Sequence, residues 1–259
     1  MFFALIDMRG FLITCIHYSI LWVKTYQHIF ILTGAGISAE SGISTFRDRD
    51  GLWENYAIED VATPQAYERN PHLVHEFYNQ RRAQLETVTP NPAHRALAKL
   101  QKEIEARGGT LTLVTQNVDD LHERCGVNKL IHMHGELRSL LCTSCGIRWA
   151  HRGAASPTML CPHCHLQGGP RPDIVWFGEM PYHMDVIEKA LMDCDLFVSI
   201  GTSGAVYPAA GFVHAARNLA KKTLEINLEP SEGSYMFDET RYGEAGTLVP
   251  LWVEELLLP

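Results

Sequence analysis

Four cysteines fall into two paired units, Cys142-Thr-Ser-Cys145 and Cys161-Pro-His-Cys164, with fifteen residues between them. Each C-x-x-C turn can point two thiolates at one ion, and four thiolates complete a tetrahedron around Zn²⁺. A closed tetrahedron leaves no position for water or substrate. An ion held by Cys142, Cys145, Cys161 and Cys164 would therefore be structural, tying together a segment too small and polar to fold alone. A nucleic-acid-binding zinc ribbon shares the spacing, but the intervening GIRWAHRGAASPTML has only two arginines, and 30 acidic against 22 basic residues leave the chain at −8. That charge disfavours a broad footprint on nucleic acid and favours small-molecule or protein partners. His163 and His165, beside four well-spaced thiolates, read as solvated knuckle residues.

A second chemistry begins in HIFILTGAGISAESGISTFRD, residues 28 to 48, where an apolar, β-branched run enters Gly34-Ala35-Gly36 as a strand enters a phosphate turn. Ala39 satisfies the third small position of a dinucleotide fingerprint. The second strand with its ribose-binding acid, expected about twenty residues on, does not follow. A polar, aromatic loop comes instead. A late segment, Glu225-Ile226-Asn227-Leu228-Glu229, could serve the ribose, and Gly201-Thr202-Ser203-Gly204 supplies another glycine-rich turn. NAD fits this pattern, an ordinary dehydrogenase less well, and taken alone the Gly34/Gly36 turn reads equally as a tight βα turn. Gln116-Asn117-Val118-Asp119 places amides and a carboxylate just after a strand, where a ligand crevice is expected. His132 and His134 follow in IHMHGEL, and histidine is the side chain best suited to accept a proton near neutral pH. A single histidine here reads equally as a packed residue.

The elements that must position these residues alternate. Strands are predicted at His28–Thr33, Thr110–Thr115, Lys129–His132, Asp195–Ile200 and Thr223–Leu228, each a short apolar run of the kind a parallel sheet buries on both faces. Helices are predicted at Pro71–Glu86, Pro92–Ala106, Met184–Met192 and Tyr207–Ala220. The fold class that follows is α/β, a doubly wound, Rossmann-like parallel sheet with a helical insertion at about 38–90 and a cysteine-rich zinc module at about 138–175. With 259 residues, 46% of them hydrophobic, this is one large catalytic domain at 28–259 behind an N-terminal extension at 1–27. The apolar run Phe11–Val23 is too short to span a bilayer comfortably and has no small-residue cleavage site after it. It reads as a helix packed on the body or as an extension with little fixed structure. Paired cysteines suited to metal point to a cytoplasmic protein without membrane attachment.

Together GAGISAESGISTFR, TQNVDDLHERCG, HMHGEL, the C-x-x-C pair, IVWFGEMP, IGTSGAVYPAA and INLEP, in that order, resemble the sirtuin family of NAD-consuming protein-lysine deacylases. Its bacterial CobB-like members are the most similar. The resemblance covers residue 28 to the end. It implies that NAD is a co-substrate whose nicotinamide is displaced by the acyl oxygen of an acylated lysine, giving free lysine, nicotinamide and O-acyl-ADP-ribose. On matching residues, it implies that Gly34, Ala35, Gly36 and Ser38 face the phosphates and that Phe46 and Arg47 cover the reactive ribose. Gln116, Asn117 and Asp119 would hold the nicotinamide ribose and carboxamide, with Val118 in an apolar contact where many members have isoleucine. His134 rather than His132 would be the base. Gly201, Thr202, Ser203, Asn227, Leu228, Glu229 and Ala245 would line the adenosine half.

The acylated peptide, by the same resemblance, adds as a strand between Phe177-Gly178-Glu179 and the loop Gly204 to Tyr207, with Phe177 lining the lysine tunnel. Tyr78 and Arg81 lie three apart on a predicted helix and can project from one face. Periodicity alone makes them a core tyrosine and a solvated arginine. The resemblance makes them readers of malonyl- and succinyl-lysine, with Ala62 leaving room for the longer chain. Three other functions share parts of this pattern: an NAD(H)-dependent oxidoreductase, a zinc-ribbon interaction module, and an NAD-dependent ADP-ribosyltransferase. Nicotinamide release that requires acylated peptide separates the first two, and product mass the third.

Overall fold

A computed structural model describes residues 26–45, 52–53 and 56–258. Phe46, Arg47 and residues 1–25 of the N-terminal extension lie outside the described residues. In chain order the strands are β1 (His28–Thr33), β2 (Leu52–Trp53), β3 (Tyr56–Ala57), β4 (Thr110–Thr115), β5 (Leu130–His132), β6 (Gly135–Cys142), β7 (Arg148–Ala150), β8 (Pro170–Ile174), β9 (Leu196–Ile200), β10 (Lys222–Asn227) and β11 (Glu239–Tyr242). The helices are α1 (Ile58–Val61), α2 (Pro64–Arg69), α3 (Pro71–Leu85), α4 (Pro92–Ala106), α5 (Leu121–Arg124), α6 (Met184–Asp193), α7 (Phe212–Asn218) and α8 (Ala245–Leu257).

Six strands form one parallel sheet in the order β11-β10-β9-β1-β4-β5. Side chains alternate across a strand, so Ile29 and Ile31 of β1 face one layer of helices while Phe30 and Leu32 face the other. The first layer is α4 and α8, contributing Leu97, Leu100, Val249 and Trp252. The second is α6 and α7, contributing Ile187, Leu191, Phe212 and Val213. Burial on both faces explains why the inner strands read as continuous apolar runs. The chain leaves β1 toward one edge and later returns to β9 beside it. The strand order therefore reverses between β1 and β9, where a ligand crevice opens at the carboxyl ends.

The two insertions pack on each other rather than on the sheet. Pro71 and Pro92 open α3 and α4 at the first turn, and Asn70 and Asn91 cap them by accepting from the Leu73 and Ala93 amides at 3.1 and 2.9 Å. Phe77, Tyr78 and Leu85 of α3 join Val61, Leu137, Ile174 and Trp176 in a third apolar cluster. Strands β6, β7 and β8 make a separate antiparallel sheet ordered β7-β6-β8. The cleft lies between this unit and the large sheet.

Candidate active site

The floor of the cleft is the strand-order reversal itself. The Gly34 amide donates to the Ile200 carbonyl at 3.0 Å and that of Gly36 to Gly201 at 2.8 Å, locking the turn after β1 to the end of β9. A Cβ on Gly36 would stand 2.7 Å from the Gly201 Cα, and Gly201 itself has φ +64°, so neither position tolerates a side chain without displacing backbone. The amides of these two glycines are thus engaged within the protein, while Ala35 N–H has no protein acceptor among the described residues and faces the cleft. A 3₁₀ turn, Ala35–Ser41, follows. The cleft holds about 560 Å³. At one end Thr202, Ser203, Asn227, Leu228 and Ala245 line it, with Asn227 Nδ2 donating to the Thr202 carbonyl at 2.8 Å. Glu40, unremarked in the sequence, accepts from the Gly246 amide at 2.6 Å and ties the start of α8 to the 3₁₀ turn. This tight floor, an open amide and neutral amide side chains suit a dinucleotide.

Two expected residues stand elsewhere. Glu229 is not on the cleft wall, and Ser38 is fully buried beneath it. Ser38 Oγ donates to Asp119 Oδ2 at 2.9 Å and accepts from Asn117 Nδ2 at 3.2 Å. It also lies 3.4 Å from His94 Nε2. Its position makes it a support for Asn117 and Asp119 from below. A second buried chain runs from His122 Nε2 through the Thr33 and Thr115 hydroxyls to the Asn117 amide, in steps of 3.1, 2.9 and 3.0 Å. Sequence reading missed His94 and His122, whose rings meet edge to face at 4.9 Å. His94 sits among ordinary helix formers, and His122, although inside TQNVDDLHERCG, carries no spacing that separates it from a packed histidine.

Gln116, Asn117, Val118 and Asp119 follow β4 directly and line the middle of the cleft. Burial pushes the Asp119 carboxyl up to about 6 against the lowering effect of the Leu121 amide and Ser38 hydroxyl. His134 lines the same stretch, and His132 does not. His134 Nδ1 lies 3.2 Å from the Gln116 carbonyl oxygen, which can only accept, so Nδ1 carries the proton and Nε2 keeps its lone pair. Burial lowers the pKa of this ring below the ordinary histidine value, more than the Gln116 bond raises it, and the ring is neutral at pH 7. His132 differs. Its Nδ1 is 3.2 Å from the Asn117 carbonyl and its Nε2 is 2.7 Å from Glu123 Oε1. Burial alone would disfavour its charge, but Glu123 outweighs this and raises its pKa.

At the far end the cleft reaches the insertions, where Ala62, Tyr78 and Arg81 line it together. Tyr78 is wholly buried, and its hydroxyl accepts from Trp176 Nε1 at 3.0 Å. Burial holds the phenol protonated far above its usual range. Arg81 is 8% exposed, with its guanidinium carbon 3.8 Å from the Phe77 ring centre and Nη1 donating to the Phe77 carbonyl at 2.8 Å. The arginine that periodicity alone would leave in water is therefore buried. Phe177 stands half-exposed on the rim, its amide donating to the Ala62 carbonyl at 3.0 Å. Arg171, stacked 3.5 Å over Trp176, holds Glu179 through two 2.8 Å bonds and so fixes the Phe177–Glu179 turn.

The four cysteine sulfurs lie within 4.8 Å of one another, with Cys142–Cys164 at 3.8 Å and Cys145–Cys161 at 3.7 Å. A tetrahedron with Zn–S bonds of about 2.3 Å has edges of about 3.8 Å. The His163 and Cys164 amides point at Cys161 Sγ from 3.4 and 3.5 Å, as supporting donors to a thiolate ligand do. The donor set fits one structural Zn²⁺.

Comparison with known proteins agrees with this geometry. Residues 34–208 match the model of the Sir2 family. An NAD-dependent protein deacylase of Caulobacter vibrioides is 57% identical over 235 residues, covering 91% of this chain and 99% of that protein. Among solved structures, a Sir2 homologue in complex with NAD superposes with a TM-score of 0.80 at 37% identity, covering 90% of this chain and 91% of that one. A Sir2 protein bound to a myristoylated histone peptide superposes with a TM-score of 0.67 at 28% identity, covering 90% and 92% of the two chains. The chain belongs to the Sir2 family.

Proposed function

We propose that this chain is an NAD-dependent protein-lysine deacylase whose range includes succinyl- and malonyl-lysine beside acetyl-lysine. One observation carries the reading: His134, whose Nδ1 is turned to the Gln116 carbonyl and whose Nε2 is left as the acceptor, lines a single cleft together with Asn117, Asp119, Ala62, Tyr78 and Arg81. NAD supplies an activated ribose whose nicotinamide leaves. The chain supplies the rest. Ala35 and the glycine floor receive the phosphates, and Thr202, Ser203, Asn227 and Leu228 line the adenosine half. Gln116, Asn117 and Asp119 position the nicotinamide ribose, and His134 Nε2 takes a proton from its hydroxyl. The acylated peptide lies between Phe177–Glu179 and Gly204–Tyr207, where main-chain bonds give affinity with little sequence preference. Phe46 and Arg47 belong to this scheme through the motif they share with the family. A cytoplasmic address fits the thiolate site, and no described helix is long and apolar enough to cross a membrane.

The acyl selectivity rests on the placement of Arg81. A buried guanidinium lining this end of the cleft matches a terminal carboxylate, and the protonated Tyr78 phenol held by Trp176 lines the cleft with it. Comparing kcat/KM on acetyl- and succinyl-lysine forms of one peptide, for wild type and Arg81→Met, tests this. Losing one partner of a buried charge pair costs about 2–5 kcal/mol, so desuccinylation should fall by roughly 30-fold or more while deacetylation is spared. Equal losses on both substrates would make Arg81 a support of the fold. Product masses of nicotinamide and O-acyl-ADP-ribose, rather than an ADP-ribosylated protein, distinguish the deacylase from a transferase.

A further inference from the structure

Asn117 is held from three directions. Its amide donates to Thr115 Oγ1 at 3.0 Å, its side chain donates to Ser38 Oγ at 3.2 Å, and its carbonyl faces His132 Nδ1 at 3.2 Å. The first two contacts rise from beneath the cleft, and the third comes from outside it. Three successive carbonyls of this loop are taken by the stretch from the end of β5 into β6. Gln116 receives His134 Nδ1 at 3.2 Å, Asn117 receives His132 Nδ1, and Val118 receives the Leu137 amide at 2.8 Å. The two histidines thus make the same bond to neighbouring carbonyls and differ only at the other nitrogen. His134 keeps Nε2 bare in the cleft. His132 gives its Nε2 to Glu123 Oε1 at 2.7 Å, with the Glu136 carboxylate also within 4.8 Å. Both nitrogens of His132 face oxygens that only accept, so the ring is a two-ended donor bracing Asn117 against α5.

We infer that His132 is a positioning residue for the deacylation reaction: it fixes the Asn117 main chain so that the Asn117 side chain keeps its place in the cleft, and Glu123 keeps the His132 ring turned for that bond. The inference rests on the deacylase reading of the site. A group acting this way is felt in the chemical step more than in binding, because misplacing a preorganised side chain costs rate before it costs affinity.

The test compares wild type, His132→Leu, His132→Gln and Glu123→Gln. Replacing His132 with leucine removes both donors, and kcat should fall roughly tenfold, a partial expression of one charge-assisted hydrogen bond. KM for NAD and for acyl-peptide should stay within about twofold, since the lost bond acts on rate before affinity. His132→Gln, which restores one N–H, should recover most of the loss. Glu123→Gln leaves the ring able to donate to Asn117 and should cost less than His132→Leu. Wild-type kcat in His132→Leu, a loss carried by KM, or no recovery in His132→Gln overturns the inference. Hydrogen exchange at the Asn117 and Val118 amides provides a reading independent of turnover. It should be roughly tenfold faster in His132→Leu at matched melting temperature, because an unpinned loop opens more often. Unchanged exchange overturns the clamp. Failure of the wild type to release nicotinamide with acyl-peptide would instead overturn the deacylase reading alone.

Discussion

Acid should unfold this protein through histidines buried beneath its active site. His94 has no exposed surface, and burial lowers its pKa from 6.5 to about 4, with the Arg95 charge adding to the effect. Its Nδ1 accepts from the Asn91 amide at 3.4 Å, so protonating the ring there breaks the reciprocal half of the capping box that opens α4. His122 shifts in the same direction. Its Nε2 serves Thr33, which leaves Nδ1 buried without a partner among the described residues, and a proton there would be an orphaned donor. A folded pKa below the unfolded value means that the unfolded chain binds the proton first. The stability is whole above pH 6.5 and is lost as pH falls toward 4. At pH 5 the unfolded imidazole is almost fully protonated and folded His94 only about a tenth so, a difference of about 2 kcal/mol. That is a large share of a total of about 5–15 kcal/mol. Urea titrations at pH 7.5 and 5.0 measure it. Zinc release also weakens the fold in acid, but it is common to wild type and His94→Gln. The pH-dependent loss should therefore be about 2 kcal/mol smaller in His94→Gln, whatever that variant costs at pH 7.5. An identical loss in both proteins would mean that His94 titrates like an exposed histidine and would refute the reasoning.

Two further outcomes follow from the site. His134→Gln should lower kcat by roughly 100- to 10,000-fold with zinc content and melting temperature unchanged, as expected when a positioned base is removed. Because burial lowers the His134 pKa, the acid limb of kcat/KM in wild type should lie below the ordinary histidine value. A limb above it would assign the base elsewhere. Cys161→Ser should leave less than one zinc per chain by metal analysis and lower the melting temperature, since the free energy of a structural site is largely folding free energy. A zinc-free variant with wild-type melting would show that the module stands without metal.

The parts of the fold legible in the sequence are those buried on two faces. β9 is buried along its whole length and β1 and β4 along most of theirs, so they read as largely apolar, β-branched runs, and the proline at the first turn of α3 and α4 marks both starts. β11 escaped because Glu239-Thr-Arg-Tyr242 is an exposed edge paired only with β10, where polar residues are tolerated. β8 escaped because Pro170 and Pro172 argue against a strand, yet β8 is itself an edge, where a missing donor costs little. The start of α7 moved from Tyr207 to Phe212, after a short 3₁₀ turn at Ala209–Gly211, and Pro250 hid α8. In the site, residue types were readable and their depth was not. Ser38 and Arg81 are both polar residues on helical turns, and only the packing of Ser38 against His94, Asn117 and Asp119 and of α3 within the third apolar cluster shows that both are buried.

That depth also links the four-cysteine module to the end of the cleft proposed for the acyl chain. Helix α3 presents Tyr78 and Arg81 to the cleft, and the next residues on its other side hold the zinc module. Asn79 exchanges both of its amide bonds with the Ala155 main chain at 2.8 and 2.9 Å, and Arg82 Nε donates to the Leu137 carbonyl at 2.7 Å. Tyr78 is fixed in turn by Trp176, two residues beyond the end of β8, and β8 pairs with the β6 strand that ends in Cys142 of the four-cysteine cluster. The end of the cleft proposed for the acyl chain is thus built on one helix and one strand whose spacing is held through the sheet that carries Cys142. The phosphate floor is built from β1 and β9 of the large sheet and shares none of these bonds. On the proposed reading, a metal held by the four cysteines would act on acyl-peptide through the spacing of α3 and β8, while the floor proposed for the dinucleotide is set by backbone packing at Gly36 and Gly201.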